Sequence, residues 1–289
     1  MIDIYMFHYV TNYFNYYHFD KDDFENIIIK LKKTYKIISI EEYDQIISKK
    51  IDIHHQKLLL LTFDDGTIDH YNNVYRILKK HQCSGLFFIT SSNFNQKILN
   101  IQIIHKLLSL NCFDEMYNYL LDFLNKKHID FNKIIFDKNL DNERVAIFKQ
   151  LLQNKLPEKF RNEILSNLTK KYNISTSSND YYINIKNLKE MKENGMFFGI
   201  HTVSHKNLSI LNYTQQYNEI YDNYKILKKH NLIDDKLLTI SYPFGKYNQN
   251  TLKIVKKLKI KYGFRCSTST NKSLFEIDRI DSNELKKLL

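Results

Sequence analysis

Tryptophan is absent from this chain, and glycine, proline and cysteine are scarce, at six, two and three residues among 289. With so little glycine there is no phosphate-binding loop. "FGKYN" pairs Gly245 with Lys246 but lacks the glycine pattern that precedes the lysine in such loops. Cys83, Cys112 and Cys266 are odd in number and far apart, with no CxxC spacing, which argues against a zinc ribbon, a dithiol redox site or a disulfide framework. Reduced, mostly packed thiols are expected. No apolar run approaches about eighteen residues, so no transmembrane segment is expected. The start, "MIDIYMFHYV", lacks the basic stretch, apolar core and small-residue cleavage site of a secretory signal. The expectation is a cytoplasmic protein, at most one working at the inner face of the membrane.

Arginine is also rare, occurring only at positions 76, 144, 161, 265 and 279, so the net charge of +11 comes almost entirely from lysine. Such a charge attracts phosphate-rich partners. Here, however, lysine rises together with asparagine, isoleucine and tyrosine, which reads as a compositional drift of the genome, and no RNP or zinc-finger motif accompanies it. No nucleic-acid partner is expected.

What is present is alternation of strand and helix. "IDIYMFHYV" alternates like a strand, and "DKDDFENIIIKLKKTY" spaces Phe24, Ile27, Ile28, Leu31 and Tyr35 as one helical face behind an acidic first turn. A strand at 57–63 is followed by a helix with Tyr71, Val74, Tyr75 and Leu78 on one side, then by the buried strand "SGLFFIT". This βαβ order predicts a parallel sheet or barrel. From 95 to 182 strands vanish and helical spacing takes over, which reads as an insertion into one α/β domain spanning 1–289. Beyond it come a helix at 185–195, a strand at 196–200, a helix at 213–230, a strand at 237–244, a helix at 248–260 and a strand from 262.

"TFDDG", "IHTVSH" and "SYPFG" each fall at the C-terminal end of an expected strand, the rim where parallel α/β folds assemble ligand sites. His201 and His205 stand four apart, so a helical turn or tight loop aims both imidazoles at one point. A carboxylate from the Asp64–Asp65 pair completes a two-imidazole, one-carboxylate set suited to zinc or a similar divalent ion. The nearby cation lowers the cost of keeping the second carboxylate ionised, and that carboxylate can take a proton from water attacking a carbonyl. The competing reading is an acidic turn in solvent and a chance histidine pair. Among the other histidines, His54 and His55 fall in a polar connection and His81 and His230 at helix ends; His70, just past the acidic motif, either backs the site or, as the favoured expectation, lies at a solvated helix N-terminus.

In this order, the three motifs resemble the polysaccharide deacetylases, the NodB-homology or carbohydrate esterase family 4 group. The resemblance covers about 1–94 and 183–281. It implies a distorted (β/α) barrel and a metal-dependent hydrolase that removes an acetyl, or a formyl, group from the nitrogen of an amino sugar. Carried onto these positions, it implies Asp64 as general base and Asp65, His201 and His205 as ligands of zinc, with cobalt, nickel or iron as alternatives. "YPFG" resembles the third motif, which puts Tyr242 and the backbone N–H of Phe244 at the oxyanion and substrate side. Where much of the family has an arginine two positions before that proline, this chain has Ser241; Arg279 resembles the late arginine of the YPFG branch and is the candidate replacement, against an ordinary surface pairing with Asp278 or Asp281. No histidine follows His230 to act as general acid. In the permuted branch that deacetylates β-1,6-linked poly-N-acetylglucosamine an N-terminal "YH" strand supplies it, which makes His8 the candidate here. The substrate would be an N-acetylated sugar that is free, nucleotide-linked, lipid-linked or part of an oligosaccharide, in the assembly of a surface glycan. Rival readings are a HAD-type phosphatase, whose carboxylates are spaced Asp-x-Asp, a catalytically silent glycan-binding member of the fold, and a nucleic-acid binder, which would explain the charge and show steeply salt-dependent affinity.

Overall fold

The computed structural model of the chain describes residues 2–11, 18–50, 56–95, 97–130, 134, 136, 142–266 and 273–288. His54 and His55 lie outside the described residues. The four leucines at 58–61 open β5 (Leu58–Phe63), every residue of which is buried. A strand covered on both faces needs no polar alternation. On one side it pairs along its whole length with β1 (Ile2–Phe7), from Ile2 opposite Leu58 to Phe7 opposite Phe63. Its other side is shared: β4 (Lys36–Ile38) pairs with its first half and β6 (Leu86–Ile89) with its last two residues. From β6 the sheet continues through β7 (Phe197–Ile200), β8 (Thr239–Ser241), β9 (Tyr262–Cys266) and β10 (Ile277–Asp281) back to β1. All these pairings are parallel, and the sheet closes as a barrel of seven strands among the described residues, with β4 wedged at its base. A further short pair, β2 (Tyr9–Val10) and β3 (His18–Phe19), extends from β1.

Two separate cores follow from the two-residue period of the strands. Leu58, Leu60, Leu86, Phe88, Phe264 and Ile277 cluster inside the barrel with Ile4. Leu59, Leu61, Phe63, Phe87 and Ile89 point outward and pack under the surrounding helices. These are α1 (Lys21–Thr34), α3 (Arg76–Lys80), α8 (Ile185–Glu193), α9 (Tyr213–Lys229) and α10 (Gln249–Lys257), while α2 (Ile40–Ile47) contributes Ile40 and Tyr43 to the inner core. The same inward parity carries on upward from Leu58 and Leu60 to Thr62 and Asp64, and from Ile277 to Arg279. Gly199 makes the inner packing feasible: a Cβ there would stand 2.4 Å from Thr239 Oγ1 and 2.6 Å from a ring carbon of Phe88.

The helical stretch holds α4 (Asn100–Leu108), α5 (Phe113–Lys126), α6 (Glu143–Gln150) and α7 (Glu158–Lys171), packed around their own cluster of Leu107, Leu120, Phe148, Leu151 and Leu165. It is tied to the barrel rim at its return: Tyr181 accepts from Ile68 N–H and Gly66 from Ile183 N–H, at 2.8 and 3.1 Å. One local difference from the sequence reading lies just after the acidic pair, where residues 70–75 wind as a π-helical segment before α3.

Candidate active site

Scarce glycine shows its consequence in the backbone. Among the described residues, ten non-glycine residues have positive φ. Six of them, Lys49, Gln82, His128, Asn173, Asn231 and Lys259, each follow a helix C-cap, where a left-handed residue closes the helix. The other four are Asp65 (80°), Thr202 (63°), His205 (52°) and Phe244 (58°), all within the three rim motifs. A β-branched residue in this region is a genuine outlier, and such strain collects where surrounding structure enforces a functional geometry.

Asp64 is held by three side-chain hydrogen bonds. It is 3% exposed, and Arg279, also 3% exposed, grips it bidentately with Nη1 to Oδ1 and Nη2 to Oδ2, both at 2.7 Å. Arg279 also donates to Ser241 Oγ at 2.8 Å and Thr62 Oγ1 at 3.2 Å, while Ser241 Oγ–H reaches Asp64 Oδ2 at 3.1 Å. Burial by itself would raise the Asp64 carboxyl, but the charges of Arg279 and His201 outweigh it and hold it well below the usual range. Arg279 thus occupies the barrel interior, not the surface, because its alternation along β10 matches that of Ile277. Asp278, one residue off, is the position that pairs outward, with Arg265 at 2.7 Å.

Asp65 sits beside it, 3% exposed, with Oδ1 at 3.3 Å from Nε2 of both His201 and His205. The ligand atoms of the three residues lie within 4.8 Å of one another. A charge-assisted hydrogen bond would bring nitrogen and oxygen to about 2.7–2.9 Å. Two ligands bonded at about 2.0–2.1 Å to one tetrahedral ion stand about 3.3–3.4 Å apart instead. Among the described residues Asp65 Oδ1 and His205 Nδ1 are buried without a hydrogen-bond partner. The donor set and these separations fit a divalent cation. His201 Nδ1 lies 2.8 Å from the Ser241 carbonyl, which can only accept, so this nitrogen carries a proton and Nε2 is the nitrogen left on the Asp65 side to meet a cation. Burial pushes His205 down to about 4, whereas in His201 the neighbouring Asp64 and Asp65 outweigh burial and raise it.

The loop holding these histidines is clamped by α9. Glu219 accepts from the N–H groups of Val203 and Ser204 at 3.1 and 2.8 Å and from the Ser204 hydroxyl. Asn223 accepts from His201 N–H at 3.2 Å and donates to Ile89 C=O at 3.0 Å. Sequence reasoning overlooked both residues, and Gln102 of α4, which donates to Asp65 Oδ2 at 3.1 Å. A signal existed for Asn223: it stands on the buried face of α9 with Ile220 and Leu227, where an apolar residue is the norm.

The remaining candidates separate. His8 follows β1 at the same rim, half-buried, and adds to the electrostatics of Asp64, Asp65 and His205. Its carbonyl is bonded to His70 Nε2. His70 itself is fully buried against Phe63 and Phe87, so the solvated helix start expected of it is corrected: the π-helical turn rotates it into the barrel wall. Phe244 is 40% exposed, with its ring 4.6 Å from that of His205. Tyr242 needs a second correction, because its side chain is buried in the outer core with the hydroxyl given to Phe275 C=O at 2.8 Å. Its phenol packs β8 and is not exposed at the rim.

The sequence profile of polysaccharide deacetylases matches residues 52–263. The chain belongs to the polysaccharide deacetylase family. A Bacillus subtilis (strain 168) relative, YxkH, is 28% identical over 103 residues, and the match takes in 35% of this chain and 36% of that protein. The chain thus spans about a third of that curated relative's length. Among solved structures, the Streptococcus pyogenes deacetylase PplD in complex with acetate superposes with a TM-score of 0.62 at 21% identity, covering 100% of this chain and 98% of PplD. IcaB from Ammonifex degensii gives 0.60 at 15% identity, covering 96% and 90%. Both share the NodB-type (β/α) barrel with this family member, and the helical stretch that the three motifs left unaccounted for lies within the span of the PplD match. Among the described residues no helix is long and apolar enough to cross a membrane.

Proposed function

We propose that this member of the family is a metal-dependent hydrolase that removes the acetyl group from the nitrogen of an amino sugar in a glycan or glycan precursor. The single observation that carries the reading is the adjacency of two buried carboxylates with different surroundings. Asp64 is neutralised by Arg279, whereas Asp65 turns an unbonded oxygen toward two imidazoles. A cation held by Asp65, His201 and His205, most simply zinc with cobalt, nickel or iron as alternatives, supplies Lewis acidity toward the amide carbonyl and acidifies water. Asp64, kept ionised by Arg279 and Ser241, accepts a proton as water oxygen bonds to the carbonyl carbon. The N–H of Phe244, at a left-handed turn beside His205, serves the developing oxyanion, a donor worth about 3 kcal/mol of barrier. His8 gives a proton to the nitrogen as the C–N bond breaks, and acetate and a free amine leave. Acetyl is preferred to formyl because the PplD structure is described in complex with acetate.

Acetate release is the test, measured on N-acetylated monosaccharides, nucleotide sugars, lipid-linked sugars and oligosaccharides after chelation and after re-addition of zinc or cobalt. Activity should vanish with the chelator, return with the metal, and fall by orders of magnitude in Asp64→Asn. Acetate release that survives chelation refutes the metal role, and full activity in Asp64→Asn refutes its role as base. Phosphate release from a generic phosphate ester would favour the phosphatase reading. In His8→Ala, turnover should drop with metal content unchanged.

A further inference from the structure

The helical stretch reaches the cation cluster through the Asp65 oxygen that the histidines do not face. Gln102 on α4 is fully buried, and its Nε2 donates to Asp65 Oδ2 at 3.1 Å. Tyr9, next to His8 and 1% exposed, donates its hydroxyl to Gln102 Oε1 at 2.6 Å, and the same hydroxyl lies 2.9 Å from Nδ1 of His105, one turn further along α4. The hydroxyl has one proton, and an amide oxygen only accepts, so the proton is spent on Gln102 and Tyr9 Oη accepts from His105 Nδ1–H. Burial, with the charge of Lys149, pushes His105 down to about 3, which keeps it the neutral ring this arrangement uses. The direction of each bond from His105 through Tyr9 and Gln102 to Asp65 is thereby fixed. If the Gln102 amide flipped, it would lose Tyr9 and set its oxygen against a carboxylate.

We propose that Gln102 is a positioning residue for the cation site: it holds Asp65 Oδ2 so that Oδ1 stays aimed at His201 and His205, with Tyr9 locking the amide. This rests on the reading of those three residues as the cation ligands. The helical stretch is then part of the metal site as well as a cover beside it. Sealing the contact between α4 and the barrel would need only apolar groups, since a buried polar chain adds no stability over well-packed hydrophobes. What the polar chain adds is orientation, and partners that orient a metal ligand typically govern affinity by about 10–100-fold.

The experiment measures zinc affinity of the metal-free full chain by competition with a chromophoric chelator, together with the visible absorption of the cobalt-loaded protein. Gln102→Leu should bind zinc about 10–100-fold more weakly and change the cobalt spectrum, and Tyr9→Phe should do both to a smaller degree. Leu120→Ala, in the separate core of the helical stretch, should lower the melting temperature and leave zinc affinity and spectrum unchanged. If the wild type takes no zinc, or Asp65→Ala binds it as tightly, the ligand assignment itself fails. If binding depends on Asp65 but Gln102→Leu matches the wild type in affinity and spectrum, only the positioning role is overturned. Should Gln102→Leu not fold, Tyr9→Phe decides, and unchanged affinity there overturns the proposal.

Discussion

Replacing Arg279 by methionine removes a buried cation while leaving its carboxylate partner in place. In the intact protein the guanidinium makes two 2.7 Å bonds to Asp64, bonds of 2.8 and 3.2 Å to Ser241 and Thr62, and lies 5.5 Å from the ring centroid of Phe88. Methionine fills much of the same volume but supplies none of these donors, so Asp64 would remain desolvated and uncompensated. Breaking one side of such a pair costs about 3–5 kcal/mol, against about 0–1 kcal/mol for a pair on the surface. For 289 residues an unfolding entropy of about 2.1 cal/mol/K per residue gives about 0.6 kcal/mol/K in total, so the melting temperature should fall by about 5–8 °C. The measurement is urea and thermal unfolding of metal-free protein, so that ion binding does not enter. The double replacement Arg279→Met with Asp64→Leu should recover much of the loss, because the lone charge is gone. A single-variant loss below about 1 kcal/mol, or a double variant no better than Arg279→Met, would refute the claim that this pair is desolvated and mutually dependent.

Acid stability follows from the same carboxylates. Asp64 and Asp65 both titrate below their unfolded range of about 3.9. Their contribution is therefore complete above about pH 4 and is lost as pH falls through the folded values. Asp64→Asn should flatten the pH dependence of metal-free stability below about pH 4 and leave the neutral region's slope unchanged. Gly199→Ala drives a methyl into Thr239 and Phe88 and should cost about 1–3 kcal/mol in urea unfolding. Gln82→Gly, at φ 54° after α3, relieves a left-handed side chain and should stabilise by about 1 kcal/mol, visible as a rise of about 2 °C in melting temperature.

Parts of this protein are legible without coordinates. The apolar run at 58–61 specifies a strand buried on both faces, and the stripe of Phe24, Ile27, Ile28 and Leu31 specifies a helix, because both patterns are local periodicities. The order of three polar motifs after strands specifies a shared rim, because parallel strands all end on one side. Short elements escaped this reading: β4 has three residues and β10 five, too few to show a period, and β10 carries three charges. What faces what is not local. Arg279 appears as one charge among Asp278 and Asp281 until barrel closure pairs β10 with β1 and turns it inward onto Asp64. Likewise His70 looks solvated until a π-helical turn buries it, and nothing local tells that the Tyr242 phenol is buried with its hydroxyl on Phe275.

The sequence by itself determined the chemical inventory: two adjacent carboxylates, two histidines four apart, and the strand ends that carry them. The motif resemblance already implied different roles for the two carboxylates; only tertiary structure supplied the different contacts that surround them. A bidentate guanidinium from the last strand holds Asp64, and a glutamine from the helical stretch holds one oxygen of Asp65 while the other is left free. That difference depends on contacts spanning 215 residues in one case and 37 in the other. No local period records such contacts, because they exist only once the barrel has closed and α4 has packed against its rim.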